Sequence, residues 1–295
     1  MKRWFSVVLA LLMCLSLFGC GQKAPAKDTT QVNTDQASEL PPADSAPSVE
    51  GPPAQTPVTP PEEPLPEEPA APQVPEVTEV QHDANFADTD NVSKILDAKV
   101  VLPYCEELPK INAYYQALWD DLYATCQLNR EDALIQKTDF AAWGQEFTPW
   151  QTDVTFEIVR NDGVTLSVLR EIYENTGGMH PLFTYQSETF DIATQGRLLL
   201  GNLFTVSEEE YLARLQDMIL ALMSKRETED GIYYYDSARE DLLNLLDPMD
   251  FALTEDSLLI FFDVYALAPY AAGPQQFYLP LADLADIIKP QYLTE

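Results

Sequence analysis

Apolar residues recur through the second two thirds of the chain with two periods, and each period marks an element. Residues 99–104 read as a strand, and from Pro109 the positions Ile111, Tyr115, Leu118, Leu122 and Cys126 share one helical face. A second helix is predicted over residues 130–143. Val154, Phe156 and Ile158 alternate, Asn161-Asp162-Gly163 turns the chain, and Val164, Leu166 and Val168 alternate on the way back to Tyr173, which is a hairpin pattern. Residues 184–192 and 197–200 read as strands separated by Ala193-Thr194-Gln195-Gly196, with the glycine expected at positive φ. Ser207 and Glu210 form a capping box before the stripe Tyr211, Leu215, Ile219 and Leu222, and Ser237 with Glu240 repeats the device before Leu242, Leu243 and Leu246. After Asp247-Pro248, residues 251–253 and 258–263 read as another hairpin. Leu258-Leu259-Ile260-Phe261-Phe262 is apolar on both faces, which predicts a central strand covered on both sides. Residues 275–279 complete the strands, and a short helix over 281–288 closes the chain. The fold class this predicts is α+β, antiparallel sheets with packed helices, following a disordered stalk.

Upstream both periods vanish. Residues 21–90 hold 14 of the 23 prolines, 14 acids, two lysines and a single aromatic residue, Phe86. Such a stretch cannot bury enough apolar surface to fold, and Pro-rich, self-repelling chain extends toward polyproline II. It reads as a spacer. Ahead of it, Met1-Lys2-Arg3 is a basic start, an apolar run extends from Trp4 to Phe18, and Leu17-Phe18-Gly19-Cys20 places a cysteine after a small residue. The run is shorter than the roughly 20 residues that span a bilayer as a helix. This resembles a bacterial lipoprotein signal, which implies lipidation of Cys20 and an extracytoplasmic chain anchored to the cell membrane through that lipid. The expected organisation is a signal over 1–20, a stalk over 21–90, an N-terminal module over 91–168 and a C-terminal module over 169–295.

Charge sorts the partners. Of a net −31, residues 1–20 carry +2, residues 21–90 carry −12 and residues 91–295 the remaining −21. A surface that acidic repels phosphate backbones and anionic headgroups, so no nucleic acid is expected as a partner and a cationic one fits. High negative charge is also a common solubility device.

Removal of the signal and lipidation of Cys20 leave Cys105 and Cys126 as the pair that could form a disulfide. A helix unbroken from Pro109 to Cys126 is about 25 Å long, and the four residues from Cys105 to Pro109 reach back at most about 14 Å. Pairing, which requires Cα atoms within about 7 Å, therefore needs the helix to start late, near Asn112. No CxxC occurs and the chain has two histidines, so no metal site is expected.

Chemistry-bearing motifs are scarce. There is no GxSxG, HExxH, Walker loop or GxGxxG opening a helix, so neither catalytic residues nor a cofactor are expected. His82 lies in the expected stalk and His180 follows Gly177-Gly178-Met179. The acid clusters Asp120-Asp121, Glu208-Glu209-Glu210 and Asp247 with Asp250 each have a structural reading, the triple glutamate favouring a helix start.

Two segments are more distinctive. One is Thr176-Gly177-Gly178-Met179-His180-Pro181 followed by Phe190-Asp191-Ile192 and Gly196-Arg197-Leu198-Leu199-Leu200-Gly201-Asn202-Leu203-Phe204. The other runs from Phe251-Ala252-Leu253-Thr254 through Phe261-Phe262-Asp263-Val264-Tyr265-Ala266-Leu267-Ala268-Pro269-Tyr270-Ala271-Ala272-Gly273-Pro274 to Tyr278-Leu279-Pro280-Leu281. Together, over about residues 169–289, they resemble the extracytoplasmic domain of RsiV-type anti-sigma factors, a domain of unknown function found also beside the catalytic domain of PdaC-type peptidoglycan deacetylases. Tyr104 with Pro109-Lys110-Ile111-Asn112 resembles, more weakly, the module that precedes it, with Cys105 where proline is frequent.

The resemblance implies a non-enzymatic binding or sensing module at the cell envelope whose partner is lysozyme, another cationic envelope-active protein or a cell-wall component. The chain departs from anti-sigma factors in having a lipoprotein-like start with no second apolar run of spanning length, so it is not expected to hold a sigma factor. Candidate binding residues are Gly177, Gly178, His180, Tyr265, Pro269, Tyr270 and Gly273; each also has a turn or packing reading. Tyrosines in such a loop can stack on sugars or on a partner's side chains. Tyr233-Tyr234-Tyr235 is a further aromatic group. The alternative from another class is a cell-wall glycan hydrolase or transferase in which His180 works with a nearby acid.

Overall fold

The computed structural model describes residues 73–89 and 93–293. The expected signal with Cys20, and residues 21–72 of the expected stalk, lie outside the described residues.

The first strand, β1 (Thr78–Ala87), lies inside the segment read as stalk, which corrects the boundary at residue 90. Its Val80, His82, Ala84 and Phe86 alternate toward the protein while Glu79, Gln81, Asp83 and Asn85 face out, a period-2 pattern that the surrounding prolines and acids obscured. It pairs antiparallel with β2 (Lys94–Tyr104). Helix α1 (Pro109–Ala142) then carries the chain to β3 (Trp150–Asn161), which therefore lies parallel to β2. Among the described residues this is the one parallel pair in an otherwise antiparallel arrangement. The hairpin of β3 with β4 (Thr165–Asn175) turns at Gly163, and β5 (Leu182–Asp191) and the two-residue β6 (Gly196–Arg197) complete a six-stranded sheet in sequential order. The division expected between residues 168 and 169 falls inside β4, so the two expected modules share this sheet.

Helix α1 is continuous, where two helices were expected. Between Pro109 and Ala142 there is no further proline and no glycine, so nothing interrupts the i to i−4 ladder until Gly144 at φ 70°. Because the helix starts at Pro109 and not near Asn112, the condition for pairing Cys105 with Cys126 is not met, and both are free and buried. Burial pushes the Cys126 thiol up to about 11. The N-terminus of α1 has no side-chain cap of its own; the Lys110 N–H donates to Gln195 Oε1 at 2.9 Å from 85 residues away. That turn places its positive φ, 56°, on Gln195 instead of Gly196.

On the face of the sheet under α1, Val100, Leu102, Val154, Leu166, Val168, Ile172 and Phe190 pack with Ile111 and Tyr115. Within this apolar layer sit two charges. Arg170 and Glu188 have side chains 2% and 1% exposed, and the guanidinium meets both carboxylate oxygens, with Nε at 3.1 and 3.2 Å and Nη2 at 2.5 Å. The hydroxyls of Tyr114 and Tyr115 on α1 donate to the same carboxylate, each at 3.2 Å. Burial and the adjacent carboxylate push Tyr114 up to about 12 and Tyr115 well above the normal tyrosine range, so both remain donors.

The opposite face carries a second, three-stranded sheet of β7 (Phe251–Leu253), β8 (Ser257–Phe262) and β9 (Gln275–Pro280). Small polar residues on β4 and β5 let it approach closely: Ser187 and Thr189 donate to the Phe251 carbonyl, at 2.6 and 3.2 Å, and the Leu253 N–H donates to Ser167 Oγ at 3.1 Å. These bonds satisfy backbone groups on the edge of the smaller sheet. Ala252, Leu259 and Phe261 pack on Leu169 across the gap. As the run of five apolar residues predicts, β8 is central and buried on both faces.

The outer face of the second sheet is covered by α2 (Glu208–Glu229), through Tyr211, Leu215, Ile219 and Met223, and by α3 (Asp236–Leu245), through Ala238 and Leu242. The α+β class is thus realised as four layers: α1, six strands, three strands, then α2 with α3. Ser207 caps α2 as expected, accepting from the Glu210 N–H. Ser237 does not cap α3, because the Tyr235 N–H is held by the Leu267 carbonyl and the helix starts at Asp236. The closing helix reduces to one 3-10 turn at Leu281–Leu284, since Ile288 bridges to Phe204 instead. After β6 the expected strand likewise becomes a 3-10 turn at Leu200–Leu203.

Two stability outcomes follow from this packing. Replacing Glu188 by Ala leaves Arg170 charged and uncompensated in the core, and we expect a loss of about 3–5 kcal/mol in the free energy of urea unfolding. Deleting residues 73–90 removes β1 and uncovers Leu96, Ala98 and Trp119, which Ala84 and Phe86 pack against, and should lower the unfolding midpoint well below that of a chain retaining them.

Candidate functional site

The two distinctive segments of the sequence meet in space. Residues 176–181 join β4 to β5, residues 263–274 join β8 to β9, and the Tyr270 hydroxyl donates across them to the Pro181 carbonyl at 2.8 Å. The His180 ring stacks on Tyr270, with centroids 4.7 Å apart and planes 22° apart, and the Tyr265 ring lies tilted 5.6 Å from that of Tyr270. Met179 beside them is 93% exposed and Tyr265 is 53% exposed. The product is an aromatic platform open to solvent.

Each loop is held from beneath. Gly177 has φ 74°, and a Cβ there would fall 2.6 Å from Gln136 Oε1. Gln136 itself donates to the Thr176 carbonyl and accepts from Trp150 Nε1, so the turn rests on α1. Gly178 is exposed. In the second loop Leu267 and Ala268 are buried anchors, and Pro269 leads into a 3-10 turn, Tyr270–Ala272, that ends at Gly273 with φ 69°. Gln275 donates to the carbonyls of Ala272 and Gly273 while accepting from the buried Tyr234 hydroxyl at 2.8 Å. Tyr265 adopts φ 68°, a left-handed conformation that is costly for a large side chain and that the anchored loop imposes.

Sequence reasoning singled out His180, Tyr265 and Tyr270, and the structure brings them together. It missed Gln275 and Gln136, whose amide side chains look unremarkable in sequence because their partners are carbonyls distant along the chain. The Tyr233-Tyr234-Tyr235 group divides: Tyr234 is core, Tyr235 packs partly against it, and Tyr233 alone is exposed. His82 also moves, from the expected stalk to β1, where it stacks on Trp119 at 4.7 Å. Among the described residues no carboxylate bonds to His180, and no group of three metal-ligating side chains is present.

A half-buried carboxyl, Asp250, lies beside β6. Arg197 on β6 donates to the carbonyls of Ser187 and Met249, at 2.7 and 2.9 Å, and stands 3.8 Å from Asp250. Burial, with Asp247 and Glu188 adding to it against the pull of Arg197, raises the Asp250 carboxyl to about 6. The triple glutamate, by contrast, occupies the first turn of α2 as its dipole reading requires.

Comparisons with known proteins agree with this architecture. Residues 201–282, which include the Tyr265 to Gly273 loop, match the family described as "Protein of unknown function (DUF3298)". Two solved structures share the fold. One is a DUF3298-family protein of Bacteroides fragilis (TM-score 0.55, 16% identity, 74% of this chain and 95% of that one). The other is a DUF3298-family protein of Pseudomonas aeruginosa (TM-score 0.54, 14% identity, 76% and 99%). Among curated proteins, the chain is 28% identical over 129 residues to Immunogenic protein MPT64 of Mycobacterium tuberculosis and to Immunogenic protein MPB64 of Mycobacterium bovis. That match takes in 44% of this chain and about half, 54%, of each relative. The chain therefore contains a DUF3298 domain set in a fold that solved DUF3298-family proteins also adopt.

The Asp250 environment predicts a pH dependence. Its carboxyl titrates near 6 when folded, and at about 3.9 when unfolded. The native chain thus binds the extra proton between these values, and the stability this contributes, complete below about pH 4, is lost as pH rises through 6. Between pH 5 and 7.5 the wild type should lose about 1–2 kcal/mol more than Asp250→Asn in paired denaturant titrations, and equal losses would show that Asp250 is not the group responsible.

Proposed function

We propose that this chain is a cell-envelope lipoprotein, anchored through lipid on Cys20, whose folded region is a non-enzymatic binding module for a cationic envelope-active protein of the lysozyme kind. The observation that carries the reading is the platform of His180, Tyr265 and Tyr270. Two segments about 90 residues apart, the same two that resemble the RsiV-type domain, are each anchored from below so that their aromatic faces are left outward. Exposed aromatics on a rigid base are the usual make-up of a binding surface, since large contact area is gained with little ordering entropy. Residues 91–295 carry −21, which favours a basic partner by steering its approach. A stalk of acidic, Pro-rich chain suits a domain that must stand away from its anchor.

The reading is tested by calorimetric titration of the full chain, in nonionic detergent, with lysozyme and with an equally basic unrelated protein. Micromolar or tighter binding to lysozyme alone, lost in Tyr265→Ala,Tyr270→Ala, is the expected result. Affinity should fall at least tenfold between about 0.1 and 0.5 M salt, where the screening length shrinks from about 10 Å to a few ångströms. Equal weak binding of both basic proteins would reduce the effect to bulk charge, and no binding would reject a partner of the lysozyme kind.

A further inference from the structure

The second sheet covers only part of the face on which it sits. Beyond Leu169 and Ser187 the six-stranded sheet stays open, and its cross-strand register lines up two rows on that open surface. In the first, Asp83, Lys99, Asp153, Tyr173 and Phe183 are direct partners from β1 to β5. In the second, Thr155, Glu171 and Tyr185 follow one another from β3 to β5. The rings of Tyr173 and Phe183 lie 5.0 Å apart, and Tyr185 leans on Phe261 of the second sheet at 6.2 Å. Thr155, Glu157 and Glu171 are exposed, the three aromatics half-buried.

We infer that this open face is a docking surface for an arginine-bearing strip of a basic protein, the guanidinium groups stacking on Tyr173, Phe183 and Tyr185 while pairing with Glu157 and Glu171. Charge decides among occupants. Among the described residues of the two rows Lys99 is the only cation, so residues 21–72 at a net −7 and a second copy of this acidic chain are both repelled. A neutral sugar would gain the stacking but nothing from the carboxylates. Arginine uses both at once, because its planar, weakly hydrated guanidinium stacks on rings and still forks onto a carboxylate, whereas a lysine ammonium does only the second well. Alternation of acid and ring across neighbouring strands, about 5 Å apart, matches the reach of one such side chain.

The inference rests on the reading of a basic partner and is tested separately from it. Hexa-arginine and hexa-lysine peptides, with lysozyme in parallel, are titrated against the full chain in detergent. Hexa-arginine should bind several-fold tighter than hexa-lysine, Phe183→Ser should abolish that preference, and Glu157→Gln,Glu171→Gln, both at exposed positions that leave the fold intact, should weaken hexa-arginine about tenfold. Equal affinity for the two peptides, or unchanged affinity in the double glutamine variant, overturns the docking face, as does displacement by N-acetylglucosamine oligomers with no effect of charge. If lysozyme binding is lost in Tyr265→Ala,Tyr270→Ala yet untouched by the two glutamines, the face is rejected and the platform reading stands. If lysozyme does not bind while the arginine preference holds, the platform reading falls and the face stands.

Discussion

A carboxylate and a guanidinium buried beneath α1 set the terms for the rest of the molecule. Removing Arg170 and Glu188 from water costs several kcal/mol per ion, and only close pairing with further hydrogen bonds offsets it. Glu188 receives the Arg170 guanidinium and the hydroxyls of Tyr114 and Tyr115, so three elements must meet in one arrangement: β4, β5 and the first turns of α1. A two-residue slip of β5 that set Gln186 in place of Glu188, opposite Val168, would carry Glu188 on to Leu166 and strand the arginine charge. Gln186 Oε1 already takes the remaining reach of Arg170 at 2.9 Å, so the polar site is filled from both strands. The pair thus selects one register and one seating of α1 more than it adds net stability.

From that seating the outer parts follow. Arg197 reaches from β6 past Tyr114 to the carbonyls of Ser187 and Met249, tying the approach to β7 to the sheet that α1 covers. Ser167, Ser187 and Thr189 then bring the edge of the second sheet close enough for Leu169, Ala252, Leu259 and Phe261 to exclude water. Larger residues at these three positions would hold the sheets apart and leave the backbone groups of β7 without partners. Since the second sheet is half the width of the first, its docking exposes the remainder, and the loop between β8 and β9 is brought against the turn between β4 and β5. The two surfaces considered for binding are both consequences of that mismatch in width.

The likeness to solved structures at 14% and 16% identity is a likeness of this scaffold. Identity so low preserves layer order and strand sequence, which depend on patterns of apolar residues, while loop chemistry is free to differ. The loop that carries Tyr265 and Tyr270 lies within residues 201–282, which match the DUF3298 family, whereas His180 and the acidic, aromatic face of β1 to β5 lie outside them.

Elements with a strong local pattern were legible in the sequence: the hairpin of β3 and β4 around Gly163, the capped start of α2 at Ser207 and the doubly covered β8. Their periodicity and caps act over a few residues and need no distant partner. The candidate residues His180, Tyr265 and Tyr270 were also legible, as unusual local compositions. What the sequence did not reveal depends on contacts distant along the chain. Strand β1 was hidden because its alternation is short and set in acidic, Pro-rich chain, and pairing with β2 decides it. The seam at Arg170 and Glu188 was invisible because two charges in adjacent strands look like surface residues until α1 covers them. The start of α3, the turn at Gln195 and the loss of the closing helix were settled by backbone groups finding partners elsewhere, at Leu267, Lys110 and Phe204. Local physics therefore determined helix or strand where period and caps are strong, as in β3, β4, β8 and the start of α2. Only the tertiary structure decided where buried charge is tolerated, and which aromatic side chains remain at the surface once the two sheets have packed.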